Sequence, residues 1–270
     1  MIDKAPASRR GSEFADADVV GSYANRTPYP AALCERLAAL TPARGRALDL
    51  GCGPGKLAIP LADLFGEIVA VDPSRAMIAA ARAADAGRHG AIRWVLSLVE
   101  DADLAGSFDL AVAGASIHWM EHRRLFPKLA DALAPEAPLV VVGGDGPAEA
   151  PWIDAYRAVI VSWVERLGGE WNSPEFVAAA RAHEAWIDLE GRDEVWGDCR
   201  MPIEALIDGE HSRATWTRAK LGPERAAAFD ADLRAVLTPH AEDGLVSFRT
   251  RATLLWGRPR REPKADLRPQ

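Results

Sequence analysis

The chain has 270 residues, of which 49% are hydrophobic and 26% are charged, so it can bury the core of one large domain and is not a disordered protein. Its formal net charge of −7 excludes the basic field that gathers nucleic acid or anionic lipid. The three cysteines form no C-x-x-C pair, so neither disulfides nor structural zinc is predicted. No apolar run approaches the ~20 residues of a membrane span and there is no signal-peptide pattern, so the sequence predicts a cytoplasmic protein.

Two tails flank the predicted folded region. Residues 1–13 are polar, and residues 258–270 are charged and rich in proline, so both are predicted to be disordered. Between the tails, β-type runs and helical patterns alternate over residues 14–145, residues 146–242 are mainly helical, and residues 243–257 form a late strand. The prediction is a core domain, a cap and a final strand of the core sheet.

Short β-type runs recur through the first half of the chain, with helical patterns in three of the intervals. The strands are predicted at residues 46–50, 67–71, 92–96, 108–113 and 139–142, and the helices at residues 56–65, 74–84 and 121–133. Crossovers of this length imply parallel pairing. The fold class is therefore α/β, with a Rossmann-like, doubly wound and mostly parallel sheet, and ligands are expected at the carboxyl ends of its strands.

The pattern changes in the second half of the chain. Residues 147–240 are mainly helical, with a predicted strand at residues 194–199, and they form a cap inserted before the strand at residues 245–256. These two additions bring the predicted sheet to seven strands. Tryptophans scattered through the cap indicate an apolar or aromatic ligand, or they simply fill a core.

The first strand runs directly into a glycine-rich turn, Gly51-Cys-Gly-Pro-Gly55, and then into a helix. Glycines are needed where the backbone takes a positive φ and a ligand approaches closely. Gly51 and Gly53 fit a dinucleotide fingerprint, but Lys56 occupies its third glycine position, and Leu57 replaces the Ser or Thr of a phosphate-binding Walker A loop. Neither phosphate-binding motif is matched.

Two acids accompany this turn. Asp49 precedes it in the strand, where a carboxylate would repel pyrophosphate and suit an ammonium group. Asp72 lies 21 residues after Gly51, at the end of the second strand, and is placed to accept hydrogen bonds from both hydroxyls of a ribose. The predicted ligand carries a ribose and a cationic, amino-acid-like end, with no phosphate near the turn.

These motifs, with residues 71–74, 108–120 and the upstream segment 20–30, resemble those of class I S-adenosylmethionine-dependent methyltransferases. Segment 20–30 is similar to that of the small-molecule branch that includes trans-aconitate methyltransferase-like enzymes. The resemblance covers residues 14–145 well and the rest more loosely. It implies that S-adenosylmethionine is the cofactor, that the acceptor is a small molecule, and that residues 14–145 form the cofactor-binding core.

Carried over from the family, the resemblance implies a role for each matching residue of the cofactor site. Asp49, Gly51 and Gly53 would hold the methionine moiety, and Asp72 would hold the ribose. The family places an acid and a small residue at the adenine, in the loop after the third strand. Here that loop aligns Val99 and Glu100 with those positions, although Leu98 stands where other members carry an aspartate.

His118 is the candidate general base, because its ordinary pKa lies near 6.5 and it follows the fourth strand. The alternative is that the His118-Trp119 pair only shapes the pocket, where Trp119 would contact the acceptor. His118 and His122 stand four residues apart, but without a further identifiable ligand no metal site is predicted. The N-P-P step of nucleic-acid amino-methyltransferases is absent, which argues against a nucleic-acid base as the acceptor.

The remaining candidates lie in the N-terminal segment and in the cap. Tyr23 is a candidate lid residue over the sulfonium, where an aromatic face favours a cation, or it packs as part of an amphipathic helix. The candidates for contact with the acceptor are Arg26, Tyr29, His211, Arg213 and Trp216. Arg213 is also placed to pair with a carboxylate on the acceptor.

The sequence thus predicts an enzyme that transfers a methyl group to an O, N or C atom of a small molecule, with secondary metabolism as one setting. Two alternatives stay open at this point. One is a protein of the same fold that binds S-adenosylmethionine without transferring the methyl group or that catalyses a different reaction. The other is an NAD-dependent oxidoreductase, which the displaced third glycine disfavours.

Overall fold

The computed structural model describes residues 17–87, 90–213 and 215–265. The helices within these ranges are α1 (Ala17–Tyr23), α2 (Leu33–Ala38), α3 (Ala58–Leu61), α4 (Arg75–Asp85), α5 (His122–Ala132), α6 (Ile153–Arg166), α7 (Pro174–Arg181), α8 (Ile203–Glu210) and α9 (Arg218–Leu237). The strands are β1 (Arg46–Leu50), β2 (Glu67–Asp72), β3 (Ile92–Leu96), β4 (Leu110–Gly114), β5 (Leu139–Gly143), β6 (Pro147–Glu149), β7 (Ile187–Pro202) and β8 (Leu245–Pro259).

The strands form one mixed sheet with the predicted doubly wound topology. The order β3-β2-β1-β4-β5 is parallel throughout, and β8 joins β5 in the antiparallel direction. Because β1 pairs with both β2 and β4, the chain reverses its direction of winding there, and the carboxyl ends of β1 and β4 border the crevice where such sheets bind ligands. The Rossmann-like, mostly parallel fold is confirmed.

The sheet of the described residues has eight strands rather than the predicted seven. The short β6 is the addition, and β7 spans sixteen residues where six were predicted. β7 pairs only with β8, and its side chains alternate between half-buried and exposed. Its many charged residues make the strand hard to recognise in the sequence. In the structure these charges are paired across the two strands, as in Glu194–Arg251 and Glu190–Arg258.

Hydrophobic layers cover both faces of the parallel strands. Leu48 and Leu50 of β1 belong to one layer with the apolar side of α5, whereas Ala47 belongs to the other layer, with α2 and α3. Successive side chains of a strand point to opposite faces, so buried strands of this kind have nearly continuous apolar sequences. This double burial fixes where each strand ends, and therefore where the polar residues after the strands lie.

Two predicted helices agree closely with the structure and one is shorter. α4 begins after Ser74, whose side chain accepts a hydrogen bond from the backbone N–H of Met77, and α5 lies within the predicted range. The helix predicted at residues 56–65 is reduced to α3, which has four residues. Pro60 lies inside α3 and lacks the N–H that would extend the hydrogen-bond ladder.

The cap has its own hydrophobic core, formed by α6, α8, α9 and the far end of β8. Phe229 of α9 is fully buried at its centre, between the rings of Trp163 and Trp216. The predicted cap therefore contains the expected helices, together with β6 and β7 rather than one strand.

The predicted tails are only partly described. Residues 1–13 and 266–270 lie outside the described residues. The first part of the predicted C-terminal tail is ordered, because β8 continues to Pro259 and the backbone N–H groups of Arg260 and Lys264 donate to carbonyls of Trp186 and Ala185. Among the helices of the described ranges, none combines the length and the apolar character needed to cross a membrane.

Candidate functional site

A narrow cleft lies where the carboxyl ends of β1, β4 and β5 meet the N-terminal part of the chain. We call it the glycine-turn cleft, and its lining residues are Tyr23, Arg26, Thr27, Tyr29, Asp49, Gly51, Cys52, Pro54, Lys56, Leu57, Gly114 and Asp145. Its free volume is about 20 Å³, which is close to the space of a single water molecule. The cleft brings together five of the residues that the sequence predicted for the site: Tyr23, Arg26, Tyr29, Asp49 and Gly51.

The glycine turn forms the floor of this cleft. Gly51, Gly53 and Gly55 have φ angles of 67°, 52° and 86°, which residues other than glycine rarely adopt. A Cβ on Gly51 would lie 2.7 Å from the Cβ of Ser116, so the turn also lies too close to the loop after β4 for a side chain. A Cβ on Gly55 would lie 2.8 Å from the ring of Trp94. Gly55 thus serves close packing, one residue before the third glycine of a dinucleotide fingerprint.

Asp49 is a buried carboxyl group with an unused acceptor. Its side chain is 2% exposed, and its Oδ2 atom has no hydrogen-bond partner among the described residues. Burial and the nearby Asp72 raise the pKa of Asp49 from 3.8 to about 7, although the backbone N–H of Ala58 favours the charged form. A buried acid in this state is poised to accept a hydrogen bond from a cationic ligand, which would lower its pKa again.

Asp72 ends β2 directly behind the glycine turn. One of its oxygens accepts a hydrogen bond from the backbone N–H of Gly53 at 2.9 Å, and the other accepts from Ser74 at 2.8 Å. Burial raises its pKa in spite of these two bonds. Each carboxylate oxygen can accept more than one hydrogen bond, so Asp72 keeps acceptor capacity for a ligand while it holds the turn in place.

Residues 20–30, which we call the lid segment, cover the glycine turn. A Cβ on Gly53 would lie 3.8 Å from the hydroxyl of Tyr23, so Tyr23 lies directly over the turn. The guanidinium of Arg26 lies 4.2 Å from the centre of the Tyr23 ring. Burial raises the pKa of Tyr23 and of Tyr29, and both phenols therefore stay protonated at neutral pH.

Lys56 supplies a second positive charge at the cleft, which sequence reasoning considered only as a misplaced motif residue. Its Nζ atom donates to the backbone carbonyl of Arg26 at 2.9 Å and lies 3.4 Å from that of Thr27. Burial and the charge of Arg26 lower its pKa from 10.5 to about 8. The ammonium group thereby fastens the lid segment to the glycine turn.

Asp145 is a site residue that the sequence analysis missed. It follows β5 by two residues and pairs with two arginines: with Nη1 of Arg26 at 3.0 Å and with Nη1 of Arg213 at 3.2 Å. Burial by itself would raise its pKa, but Arg213 and Arg26 outweigh that effect and lower the pKa to about 2. Its position just after the fifth predicted strand, at the edge of the sheet where ligands are expected, was the available signal.

His118 and Trp119 lie on a short 3-10 helix, Ile117–Trp119, that follows β4. More than a third of His118 is open to solvent, and desolvation of the rest of the side chain lowers its pKa below 6.5. Neither residue is among those that line the glycine-turn cleft. The nearby His122 has its Nε2 atom 3.0 Å from the carbonyl of Ile117, and no metal-binding cluster occurs in the part of the chain that the structure describes.

The two residues predicted for the adenine lie in the loop after β3, outside the glycine-turn cleft. Val99 is buried in the main core. Glu100 accepts a hydrogen bond from the backbone N–H of Glu121 at 2.6 Å, where α5 begins. In the structure, Glu100 therefore has a local role at the start of a helix, and the predicted adenine contact stays a prediction.

The predicted acceptor residues of the cap separate into two groups. His211 and Trp216 lie in the cap core: His211 is 1% exposed, and its ring nitrogens contact the carbonyl of Trp216 at 2.7 Å and Asp230 at 2.6 Å. Arg213 instead extends toward the cleft, where it pairs with Asp145 and with Glu210. The structure therefore brings Arg213 to the edge of the site and leaves His211 and Trp216 away from it.

Comparison with known proteins gives matches over the core and over most of the chain. Residues 47–136 match a methyltransferase domain family. A trans-aconitate 2-methyltransferase from Variovorax paradoxus is 36% identical over 218 residues, which cover 78% of this chain and 73% of that protein. A ubiquinone biosynthesis O-methyltransferase from Bradyrhizobium diazoefficiens is 31% identical over 132 residues, so the match spans about half of each protein: 47% of this chain and 51% of that one.

A solved structure gives the same result. A protein from Anaeromyxobacter dehalogenans, described as a type II methyltransferase, superposes with a TM-score of 0.64 at 27% identity. The superposition covers 86% of this chain and 95% of that protein, so it includes the cap as well as the core.

Proposed function

Because the chain belongs to the class I S-adenosylmethionine-dependent methyltransferases, we propose that it transfers the methyl group of this cofactor to an O, N or C atom of a small molecule. The name of the Bradyrhizobium relative favours oxygen among the three acceptor atoms. A setting in secondary metabolism remains part of the proposal.

The observation that carries this proposal is the distribution of charge in the glycine-turn cleft. An acid with an unused acceptor, Asp49, lies among the same lining residues as two cations, Arg26 and Lys56. The methionine moiety of the cofactor is a zwitterion, with an ammonium group and a carboxylate. We assign the ammonium group to Asp49 and the carboxylate to Lys56, because Arg26 is already paired with Asp145. The residues fit the cofactor chemically.

The other cofactor contacts follow the sequence prediction. Asp72 retains acceptor capacity for the ribose hydroxyls, and Val99 and Glu100 remain the candidates for the adenine. Tyr23 of the lid segment lies over the glycine turn, so we expect the lid segment to move when the cofactor binds.

When bound, S-adenosylmethionine supplies the electrophilic methyl carbon of its sulfonium, which leaves the protein to align the acceptor and to handle one proton. His118 is our candidate for the proton, since its lowered pKa keeps the imidazole neutral and able to accept at pH 7. Arg213 is already paired with two acids, Asp145 and Glu210, which weakens its candidacy for an acceptor carboxylate.

The cofactor assignment is tested by thermal unfolding with S-adenosylhomocysteine and, separately, with NAD. A ligand present at ~100 times its dissociation constant stabilises a protein by about 2.7 kcal/mol, which raises the unfolding midpoint measurably. We expect the midpoint to rise with S-adenosylhomocysteine alone. A rise with NAD alone would reject the cofactor and its assigned residues.

A product screen separates transfer from binding. The protein is incubated with S-adenosylmethionine and a panel of small carboxylates, phenols and amines, and methylated products are sought by mass spectrometry. With an acceptor found, His118→Ala should lower turnover ~100-fold or more while the affinity for S-adenosylhomocysteine is kept. Equal losses of turnover and affinity would instead assign His118 a role in shaping the pocket.

A further inference from the structure

A second cleft lies on the other side of the lid segment, with a volume of about 500 Å³. Its walls are the chain from Ala24 to Cys34, the residues Lys56, Leu57 and Pro60 around the start of α3, and the junction of β7 with α8. Volumes of about 300–1,000 Å³ are typical of small-molecule sites. The second cleft is thus large enough for a small-molecule ligand.

The walls of the second cleft are mainly apolar. Four prolines contribute to them, together with Leu33 and Met201. Such rigid apolar surfaces favour the body of a ligand by removing it from water, and prolines lose little conformational entropy when they are covered.

The charges in this cleft have one sign. Its charged lining residues are Arg26, Lys56 and Arg200, and none of the described residues that line it is an aspartate or a glutamate. A protein with a net charge of −7 would not be expected to form such a surface by composition alone. The cleft therefore complements an anion.

Two of these cations, Lys56 and Arg200, are paired less closely than Arg26, and the ion pair of Arg200 with Glu242 is long. Nζ of Lys56 contacts backbone carbonyls, and Nη2 of Arg200 donates to the carbonyl of Glu242 at 3.2 Å, with the nearest carboxylate oxygen at 3.8 Å. Arg26, by contrast, is paired with Asp145 at 3.0 Å. Lys56 and Arg200 thus retain positive charge that an anionic ligand could compensate.

We propose that the second cleft is a binding site for a small amphipathic anion, a molecule with an apolar body and one carboxylate. The apolar body lies against the proline-rich wall, and the carboxylate is held by Lys56 and Arg200. The two clefts share four lining residues, Arg26, Tyr29, Lys56 and Leu57. Lys56 is also assigned to the carboxylate of the cofactor, so the two ligands would compete for its ammonium group.

The test is isothermal titration of the full chain with octanoate and with octanamide, its uncharged counterpart. We expect octanoate to bind with one-to-one stoichiometry and octanamide to bind at least ~5-fold more weakly, since only the carboxylate can pair with the two cations. Absence of octanoate binding up to about 10 mM, or equal affinities for the two compounds, would overturn the proposal.

Matched variants locate the binding. Ala31 and Ala32 are adjacent exposed alanines, and only Ala31 lines the second cleft. Ala31→Trp should weaken octanoate binding ~10-fold by filling the cleft, whereas Ala32→Trp should leave it unchanged. A change in the oligomeric state on Ala31→Trp alone would assign the cleft to a second copy of the chain and would also reject the proposal.

A second pair tests the charge. Arg200→Gln and Arg192→Gln remove the same charge from the same strand, and only Arg200 lines the second cleft. We expect Arg200→Gln to weaken octanoate binding several-fold and Arg192→Gln to have no effect. Equal effects would indicate a general electrostatic attraction and contradict the proposed site. Titration of each variant with S-adenosylhomocysteine reports separately on the cofactor cleft.

Discussion

The glycine-turn cleft and the cap core each bury an ionisable side chain almost completely, but the two side chains differ in whether their polar atoms have hydrogen-bond partners. Asp49 in the cleft is 2% exposed and leaves one carboxyl oxygen without a partner. His211 in the cap is 1% exposed, and both of its ring nitrogens have partners within 2.7 Å. Both side chains are almost fully buried, but only His211 has a partner for each polar atom of its side chain.

This difference teaches how a ligand site can be told from a structural polar group. The indole N–H groups of Trp152 and Trp216 in the cap also lack partners, but they are neutral. An unpartnered carboxylate costs far more free energy than an unpartnered neutral donor, so it stays protonated or awaits a ligand. Asp49 therefore indicates a site, whereas His211 indicates a well-packed cap. Four predictions test this contrast.

The largest effect is expected for Asp49→Asn. The folded pKa of about 7 lies above the ordinary value of 3.8, so the folded protein binds a proton between these pH values and loses stability as the pH rises through them. An amide at this position avoids that cost. The free energy of unfolding at pH 8 should rise by on the order of 3 kcal/mol, measured by urea denaturation, while S-adenosylhomocysteine binding is weakened.

The control for this variant is Asp154→Asn, at a position where the side chain is 96% exposed. It should change neither the stability nor the affinity appreciably. A loss of stability in Asp49→Asn at pH 8 would contradict the view that the site stores an unfavourable buried charge.

His211→Ala should produce the reverse pattern. It removes a buried ring and two hydrogen bonds, so the free energy of unfolding should fall by about 2–3 kcal/mol. The affinity for S-adenosylhomocysteine should be unchanged, because His211 does not line the glycine-turn cleft. His240→Ala, at an exposed histidine, should leave both quantities as they are. A selective loss of ligand affinity in His211→Ala would indicate that His211 contributes to ligand binding after all.

Asp72→Ala should weaken S-adenosylhomocysteine binding by about 1.5–3 kcal/mol, or roughly 10- to 100-fold, through the loss of one or two charge-assisted hydrogen bonds. Because Asp72 also accepts hydrogen bonds from Gly53 and Ser74, the unfolding midpoint must be measured beside the affinity. Asp72→Asn keeps an acceptor oxygen and should lose less in both measurements. Unchanged affinity in a folded Asp72→Ala protein would remove the ribose assignment.

The smallest effect is the pH dependence of binding. An ammonium group at Asp49 favours the ionised acid, so the affinity for S-adenosylhomocysteine should rise between pH 5.5 and pH 8, by up to about tenfold per pH unit below the pKa. Titration calorimetry in buffers of different ionisation enthalpy should detect proton release on binding at pH 6. In Asp49→Asn this dependence should disappear, and its persistence would place the titrating group elsewhere.

Much of the core fold could be predicted from the sequence, because its signals are local. Buried parallel strands such as β1 and β2 have continuous apolar runs, and the glycine turn follows β1 directly. β7 was largely missed for the opposite reason. Its charged residues resemble a loop until their ion pairs with the arginines of β8 are seen. Similarly, Pro60 limited α3 more than its apolar pattern indicated.

For the candidate site, the positions of the two acids could be predicted from the sequence, but their chemical state could not. Asp49 and Asp72 stand at the ends of strands whose pairing the pattern predicts, so their proximity to the glycine turn follows from the topology. The chemical state of Asp49 depends on what surrounds it in space, and its sequence position gives no information about that. The sequence shows a lysine at position 56, but it does not show that its ammonium group links the lid segment to the turn.

The sequence by itself determined the parallel α/β frame, the glycine turn and the two acids beside it, since strand periodicity and backbone sterics act over a few residues. Only the tertiary structure decided which polar side chains are satisfied. Asp145 meets Arg26 and Arg213 across 119 and 68 residues of chain, and His211 meets Asp230 inside the cap. Such pairings, like the second cleft between the lid segment and β7, depend on how separate elements pack together, which no local pattern encodes.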